Sequence, residues 1–280
     1  MEKHSLKLSF EFFPPKTPNA LQNLFLSATR LSELNPEFFS VTFGAGGSSK
    51  DKTWSTINFL QKNTKIKIIP HLTCVEMTKA DIKDLLFNYK ESGINHLLAL
   101  RGDISAETKF KGDFSYANEL VKFIRDETGN HFHIDVAAYP EFHPQTKHTH
   151  VDLQNFKRKI ESGANGAITQ YFYNADSYFR LIDDCKKLNI DAPIIPGIMP
   201  ILNWSKLKEF SSKCGAEIPV WLCKRMESFG DDQESIKNYG IDVVTHLCEK
   251  LIAQGVPGFH FYTLNKSKPA ITICKNLGIA

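Results

Sequence analysis

Eight short runs rich in β-branched and aromatic residues recur along the chain, each followed by a longer stretch with helical spacing. The runs are LKLSFEFF (6–13), FFSVTFG (38–44), KIKIIPHLTC (65–74), HLLALRG (96–102), HIDVAAYP (133–140), GAITQYFY (166–173), PIIPGIMP (193–200) and GFHFYTLN (258–265). Between them, Leu21, Leu24, Ala28 and Leu31 keep an apolar helical stripe that Asn35-Pro36 stops. Thr78 followed by Asp81 resembles a capping box and leads into Ile82, Leu85, Leu86 and Tyr89. Leu153, Phe156, Ile160 and Ala164 form another stripe that closes near Gly163, and residues 242–253 form a last one. Strands alternating with helices predict a parallel α/β sheet. Eight such units predict closure into a (β/α)8 TIM barrel, one domain spanning residues 1–280.

Side-chain alternation along each run predicts which face is which. Glu11 shares a face with Ser9 and Phe13, and Phe10 and Phe12 take the other. The phenylalanines then pack on helices while Glu11 points into the barrel. By the same count Ser40 goes with Thr42, His71 with Thr73, Arg101 and Asp103 with Ala99, Tyr139 with Ala137, Gln170 with Ile168 and Tyr262 with His260. Leu98 and Leu100 fall on the opposite face. The polar members lie late in their strands, at the end where this fold carries its active sites.

Composition narrows the class. Apolar content of 42% and charged content of 23% describe an ordinary globular protein, and a net charge of +3 gives no argument for nucleic acid. The six cysteines are scattered without a CxxC pair, which fits buried thiols in a reducing compartment. No stretch approaches the roughly 20 apolar residues of a membrane span, and the first residues lack a signal-peptide run. These features predict a cytoplasmic protein.

The candidate chemistry gathers at strand ends. A carboxyl in apolar surroundings is disfavoured as its anion, which suits Glu11 to general-acid work; the plainer alternative is a Glu paired with a nearby Arg or Lys. Arg101-Gly102-Asp103 combines a bidentate anion binder with a glycine that permits close ligand approach; the alternative is an internal Arg–Asp ion pair. Gly44-Ala45-Gly46-Gly47-Ser48-Ser49 matches neither GxGxxG nor GxxxxGK[ST] and reads as a Gly-rich turn. Asp152, Asn155 and Lys159 share one helical stripe flanked by Arg158, suited to a pyrophosphate or ribose; an isolated basic stretch otherwise reads as a solvated face. His143, His148 and His150 have no matching ligand partners, so no metal is expected.

The ordered blocks FEFFPP (10–15), VTFGA (41–45), PHLTC (70–74), ALRGD (99–103), AAYPE (137–141), LxNxKRKxxxGAN (153–165), AITQYFY (167–173), IIPGIMP (194–200) and FHFYTLN (259–265) resemble the methylenetetrahydrofolate reductases. The resemblance spans nearly the whole chain, one block per proposed strand. It implies an FAD enzyme on a (β/α)8 barrel. Such enzymes reduce FAD with NADH or NADPH, then pass hydride to 5,10-methylenetetrahydrofolate, giving 5-methyltetrahydrofolate for methionine synthesis. It also implies a homo-oligomer. Carried over, Glu11 is the acid that protonates N10, and Asp103 sits near flavin and pterin. Thr42, His71, Arg101, Gly102, Asp103, Ala137, Tyr139, His143, Asp152, Asn155, Arg158 and Lys159 map onto FAD contacts. Glu11, Asp103, Gln170, Phe210, Tyr262 and Lys266 map onto folate contacts. Lys16 and Lys266 stand where relatives often carry arginine and lack its planar fork. The chain ends soon after the eighth run, so inhibition through the extra domain of eukaryotic relatives is not expected.

Two other readings compete. An aldolase or lyase barrel would want a Schiff-base lysine late on an inward face, which none of the runs supplies. A folate-binding scaffold would tolerate loss of Glu11.

Overall fold

In the computed structural model, residues 6–43, 50–103, 112–146 and 148–280 are described; the Gly-rich turn at 44–49 lies outside them. The predicted runs form one all-parallel sheet. Its strands are β1 (Lys7–Phe12), β2 (Phe38–Val41), β3 (Lys67–Thr73), β4 (His96–Leu100), β5 (His133–Ala138), β6 (Gly166–Thr169), β7 (Ile194–Ile195), β8 (Gly197–Ile198) and β9 (Gly258–Tyr262). The spatial order is β7-β6-β5-β4-β3-β2-β1-β9-β8. The seventh run is therefore two strands, because Pro196 lacks the N–H a continuous ladder needs. β7 pairs with β6 and β8 pairs with β9, so this one broken run joins the two edges and closes the barrel. The Pro196 carbonyl still accepts from His260 N at 3.0 Å.

Ten helices surround the sheet among the described residues: α1 (Pro18–Ser32), α2 (Lys50–Asn63), α3 (Lys79–Glu91), α4 (Ala117–Thr128), α5 (Thr149–Glu161), α6 (Ala175–Lys187), α7 (Trp204–Cys214), α8 (Val220–Ser228), α9 (Gln233–Ala253) and α10 (Ser267–Asn276). The stripe of α1 buries Leu24, Ala28 and Leu31, and the capping box of Thr78 and Asp81 opens α3 as expected. The stripe predicted at 242–253 is the second half of α9. That helix begins earlier because Asp232 caps it, accepting from Glu234 N and Ser235 N.

Alternation holds for β1. Phe10 and Phe12 are fully buried beneath the helices, with Phe10 stacked on Phe261 at 5.7 Å and Phe12 edge-on to Phe39 at 5.2 Å. Glu11 lies on the inward face. The barrel lumen is filled by Phe38, Ile69, Leu98 and Ile168, with Leu100 and Ile195 against them. This corrects the face assigned to β4. Leu98 and Leu100 point inward, while Ala99 belongs to the layer under the helices. β4 ends at Leu100, and Gly102 then takes φ +91°, so counting alternation through to Arg101 and Asp103 runs past the extended backbone it depends on.

The opposite end of the lumen is also polar. His96 and His133 open β4 and β5 as register partners, and each ring meets one oxygen of the Asp135 carboxylate. Burial opposes ionisation of Asp135, but the hydrogen bonds with His133 and His96 outweigh it and hold the carboxyl well below the usual carboxylate range. No helix among the described residues is long and apolar enough to cross a membrane.

Candidate active site

The C-terminal ends of the strands bring most of the predicted residues to one mouth. Glu11 on β1 is in register with Ser40 on β2 and Tyr262 on β9. Its side chain is 20% exposed, and its Oε2 lies 3.5 Å from His71 Nε2 and 4.0 Å from His260 Nε2. The plainer expectation, a Glu paired with Arg or Lys, is not met among the described residues: its charged-range neighbours are imidazoles. The contact with His71 is near enough for electrostatic coupling yet makes no hydrogen bond, and His71 Nε2 is left buried without one. Burial, only partly offset by Glu11, pushes His71 down to about 4. At neutral pH its ring is uncharged.

Behind Glu11 sits a second histidine to which the sequence reading gave no role. His260 is fully buried, its Nδ1 2.8 Å from Ser9 Oγ and its Nε2 3.5 Å from Ser40 Oγ. The alternation already put Ser9 with Glu11 and His260 with Tyr262. That pairing across β1 and β9 was the available signal. Tyr262 donates its hydroxyl to Thr169 O at 2.7 Å, and burial followed by the Glu11 charge raises its phenol well above the ordinary value.

A second group of predicted residues lies around the ends of β4 and β5. Tyr139 and His143 meet ring to ring at 4.9 Å. Asp152 on α5 accepts from His143 N at 3.0 Å, and Lys159, two turns further along the same face of α5, donates to Ala137 O. Burial lowers Lys159 to about 8, with Asp152 opposing. Burial raises Tyr139 to about 12, helped by Asp152 and then Asp103. His143 is lowered by burial and then by Arg101. These mutual influences place Arg101, Asp103, Tyr139, His143, Asp152 and Lys159 within electrostatic reach of one another. Arg101 Nε donates to Gly102 O at 3.1 Å, and no Arg101–Asp103 ion pair forms among the described residues. Gly102 is required where it is: a Cβ there would lie 2.6 Å from Val75 Cγ1.

Other predicted residues stand apart. Asn155 Oδ1 accepts from the exposed Arg158, which lines a hollow of about 440 Å³ between α4 and α5 rather than the mouth. Phe210 is 48% exposed on α7. Its neighbour Ser211 is buried, hydrogen-bonded to the Tyr171 hydroxyl at 2.9 Å, which ties α7 to the end of β6. Gln170 follows β6 and accepts from Tyr171 N through its own Oε1. Lys266 is exposed just past β9, at the N-cap of α10, and Lys16 is exposed just past β1.

The match to known proteins covers the same ground. The family model for methylenetetrahydrofolate reductase matches residues 1–278. The chain belongs to the methylenetetrahydrofolate reductase family. It is 42% identical over 274 residues to the 5,10-methylenetetrahydrofolate reductase of Buchnera aphidicola subsp. Schizaphis graminum, covering 98% of this chain and 92% of that one. It is 40% identical to the Escherichia coli K12 protein of the same name, covering 98% and 91%. Among solved structures it is similar to an uncharacterized Clostridium thermocellum protein that binds two copies of 5-methyl-5,6,7,8-tetrahydrofolic acid, with a TM-score of 0.70 and 18% identity, covering 98% and 95%. That likeness speaks for the fold. A methylenetetrahydrofolate reductase is an oxidoreductase that converts methylenetetrahydrofolate to methyltetrahydrofolate.

His71 makes stability at this mouth depend on pH. Its folded-state value of about 4 lies below the ordinary 6.5. Above the ordinary value neither state binds the proton. As pH falls from there to the folded value, only the unfolded chain takes it up, so stability drops by roughly 3 kcal/mol across the window and no further below it. Urea unfolding at the two ends of that window should show a larger loss for the wild-type chain than for His71→Gln. Equal losses would remove His71 as the cause.

Proposed function

We propose that this chain reduces 5,10-methylenetetrahydrofolate to 5-methyltetrahydrofolate with FAD as cofactor and NADH or NADPH as reductant, the two substrates taking turns. The observation that carries the reading is Glu11 at the mouth of the barrel, in register with Tyr262, which interacts electrostatically with both Glu11 and Tyr139 of the Arg101–Asp103–Tyr139–His143–Asp152–Lys159 group. The residues fit a flavin dinucleotide. Thr42 Oγ1 and His71 Nε2 are buried polar atoms without partners among the described residues, the kind of groups a ligand satisfies. Gly102 keeps the backbone bare, and Arg101 and Lys159 supply cations for a pyrophosphate. Asp152 would serve the ribose side, while Asn155 and its partner Arg158, which lines the hollow between α4 and α5, stand outside this group. FAD, when bound, would take hydride from the reduced pyridine nucleotide and supply it to the folate.

The chain's own residues do the rest. Glu11 gives a proton to N10 of the folate, which makes that nitrogen a better leaving group and opens the methylene bridge to a 5-iminium cation. Asp103, an anion, favours that cation. Gln170 holds the pterin edge, Phe210 and Tyr262 close over the substrate, and Lys266 meets the glutamate tail. The setting is cytoplasmic, the protein a homo-oligomer, and the product feeds methyl transfer in methionine synthesis.

Purified protein is expected to be yellow, to bleach anaerobically with NADH or NADPH and to recolour with methylenetetrahydrofolate. A colourless preparation that cannot be reconstituted with FAD would end the proposal. Asp103→Asn is expected to raise the flavin midpoint potential, because it removes a negative charge that opposes an anionic reduced ring. A redox titration showing an unchanged or lowered potential would remove Asp103 from that role.

A further inference from the structure

The polar cluster at the other end of the barrel has no part in the reaction proposed above. We propose that His96, His133 and Asp135 form a binding site for a divalent transition-metal ion of the zinc class at the N-terminal mouth.

The site follows from register. Parallel pairing sets His96, the first residue of β4, beside His133, the first residue of β5, with ring centroids 4.3 Å apart. Asp135 is two residues further along β5 and so on the same face as His133. His96 Nε2 lies 2.7 Å from Asp135 Oδ2, and His133 Nε2 lies 3.3 Å from Asp135 Oδ1. One donor atom from each residue falls within a span of 4.8 Å. Ligand bonds of about 2.0–2.1 Å in a tetrahedral site put the donor atoms about 3.3 Å from one another, so the three need small adjustments to enclose an ion.

Surroundings support the assignment. The side chains of His96 and Asp135 are 10% and 12% exposed, which fixes two ligands, while that of His133 is 47% exposed and leaves a path from solvent and room for water as fourth ligand. Gly166 is the register partner of Asp135 on β6, and a Cβ there would lie 2.6 Å from Asp135 Oδ1. The missing side chain leaves space beside the carboxylate. Two imidazoles and one carboxylate suit zinc, nickel or copper and not magnesium or calcium, which prefer all-oxygen sites. One neighbour works against a cation: Lys67, exposed at the start of β3, interacts electrostatically with Asp135. Its flexible stem lets the ammonium move into water.

The test is calorimetric titration of chelator-treated full-length protein with zinc chloride, repeated with cobalt chloride while the visible spectrum is followed. One ion per chain is expected at micromolar protein, with cobalt bands of a low-coordinate site and no competition from magnesium. His133→Ala, at an exposed position, is expected to fold normally and to weaken zinc binding by at least the about 10–100-fold that losing an outer-sphere partner costs. Lys67→Met is expected to tighten it. Methylenetetrahydrofolate reduction by metal-free His133→Ala should equal that of the wild type. Failure to bind zinc, or binding indifferent to both substitutions and so held elsewhere, for instance by His148 and His150, would overturn the proposal and leave the cluster as a hydrogen-bonded clamp. Neither result bears on the flavin reaction.

Discussion

Glu11→Gln is expected to leave reduction of the flavin by NADH or NADPH intact and to slow the folate half-reaction by about 10²–10⁴-fold, the usual contribution of a matched general acid. The substitution keeps the size and hydrogen-bonding shape of the side chain and removes only its titratable proton. Two of its neighbours cannot replace it. His71 is held near pH 4 by burial, so at working pH it has no proton to give up as an imidazolium. Tyr262 is committed to Thr169 O and has a raised phenol. Stopped-flow absorbance separates the two half-reactions: the first follows bleaching, the second recovery of the oxidised spectrum. The expected pattern is a normal first trace and a nearly flat second one. Equal slowing of both would make Glu11 a structural residue of the mouth, and no slowing of either would assign the proton to another donor.

How much of this was legible in the sequence depended on backbone regularity. Where a strand stays extended through the residue of interest, as at Glu11, Ser40 and His71, alternation gave the correct face. Where the count is carried from residues past the strand end, as from Arg101 and Asp103 back into β4, it puts Leu98, Ala99 and Leu100 on the wrong faces. The glycine that suits the site for close approach is also what breaks the count. The seventh run read as one strand because PIIPGIMP is apolar throughout, and only the pairing partners reveal that Pro196 divides it. The His96–His133–Asp135 cluster went unread for a different reason. Local spacing singles out histidines close in sequence, at 143, 148 and 150, whereas parallel register joins residues from separate runs. The sign was there in the first letters of HLLALRG and HIDVAAYP, which begin neighbouring strands with histidine. Phe210 and Arg158 mark the limit of transfer by resemblance: both stand exposed on helices, and nothing in their local spacing says which way a helix is turned once docked.

Gly197→Ala is expected to lower the melting temperature by about 10 °C and to raise the KM for methylenetetrahydrofolate more than it changes flavin binding. Gly197 begins β8 at the closing seam, where its N–H donates to Thr169 Oγ1 at 2.9 Å. An alanine Cβ would collide with the Thr169 carbonyl oxygen and lie 2.7 Å from the Tyr262 ring. The carbonyl is backbone of β6 and the ring is pinned to it by the Tyr262 hydroxyl, so neither can yield alone. Overpacking of this kind costs about 1–3 kcal/mol, and the displaced hydrogen bond to a buried carbonyl adds about 1–3 kcal/mol. At about 2–4 °C per kcal/mol for a chain approaching this size, the shift follows. Tyr262→Phe removes the hydroxyl without moving the ring and should cost only about 1 kcal/mol. Truncating the ring in Gly197→Ala/Tyr262→Ala should recover part of the loss, giving a non-additive cycle that identifies the ring as what the methyl strikes. A melting temperature for Gly197→Ala within 2 °C of wild type, a margin set at about half a kcal/mol, would show that the seam has slack, and the tight coupling of barrel closure to the position of Tyr262 would fall with it.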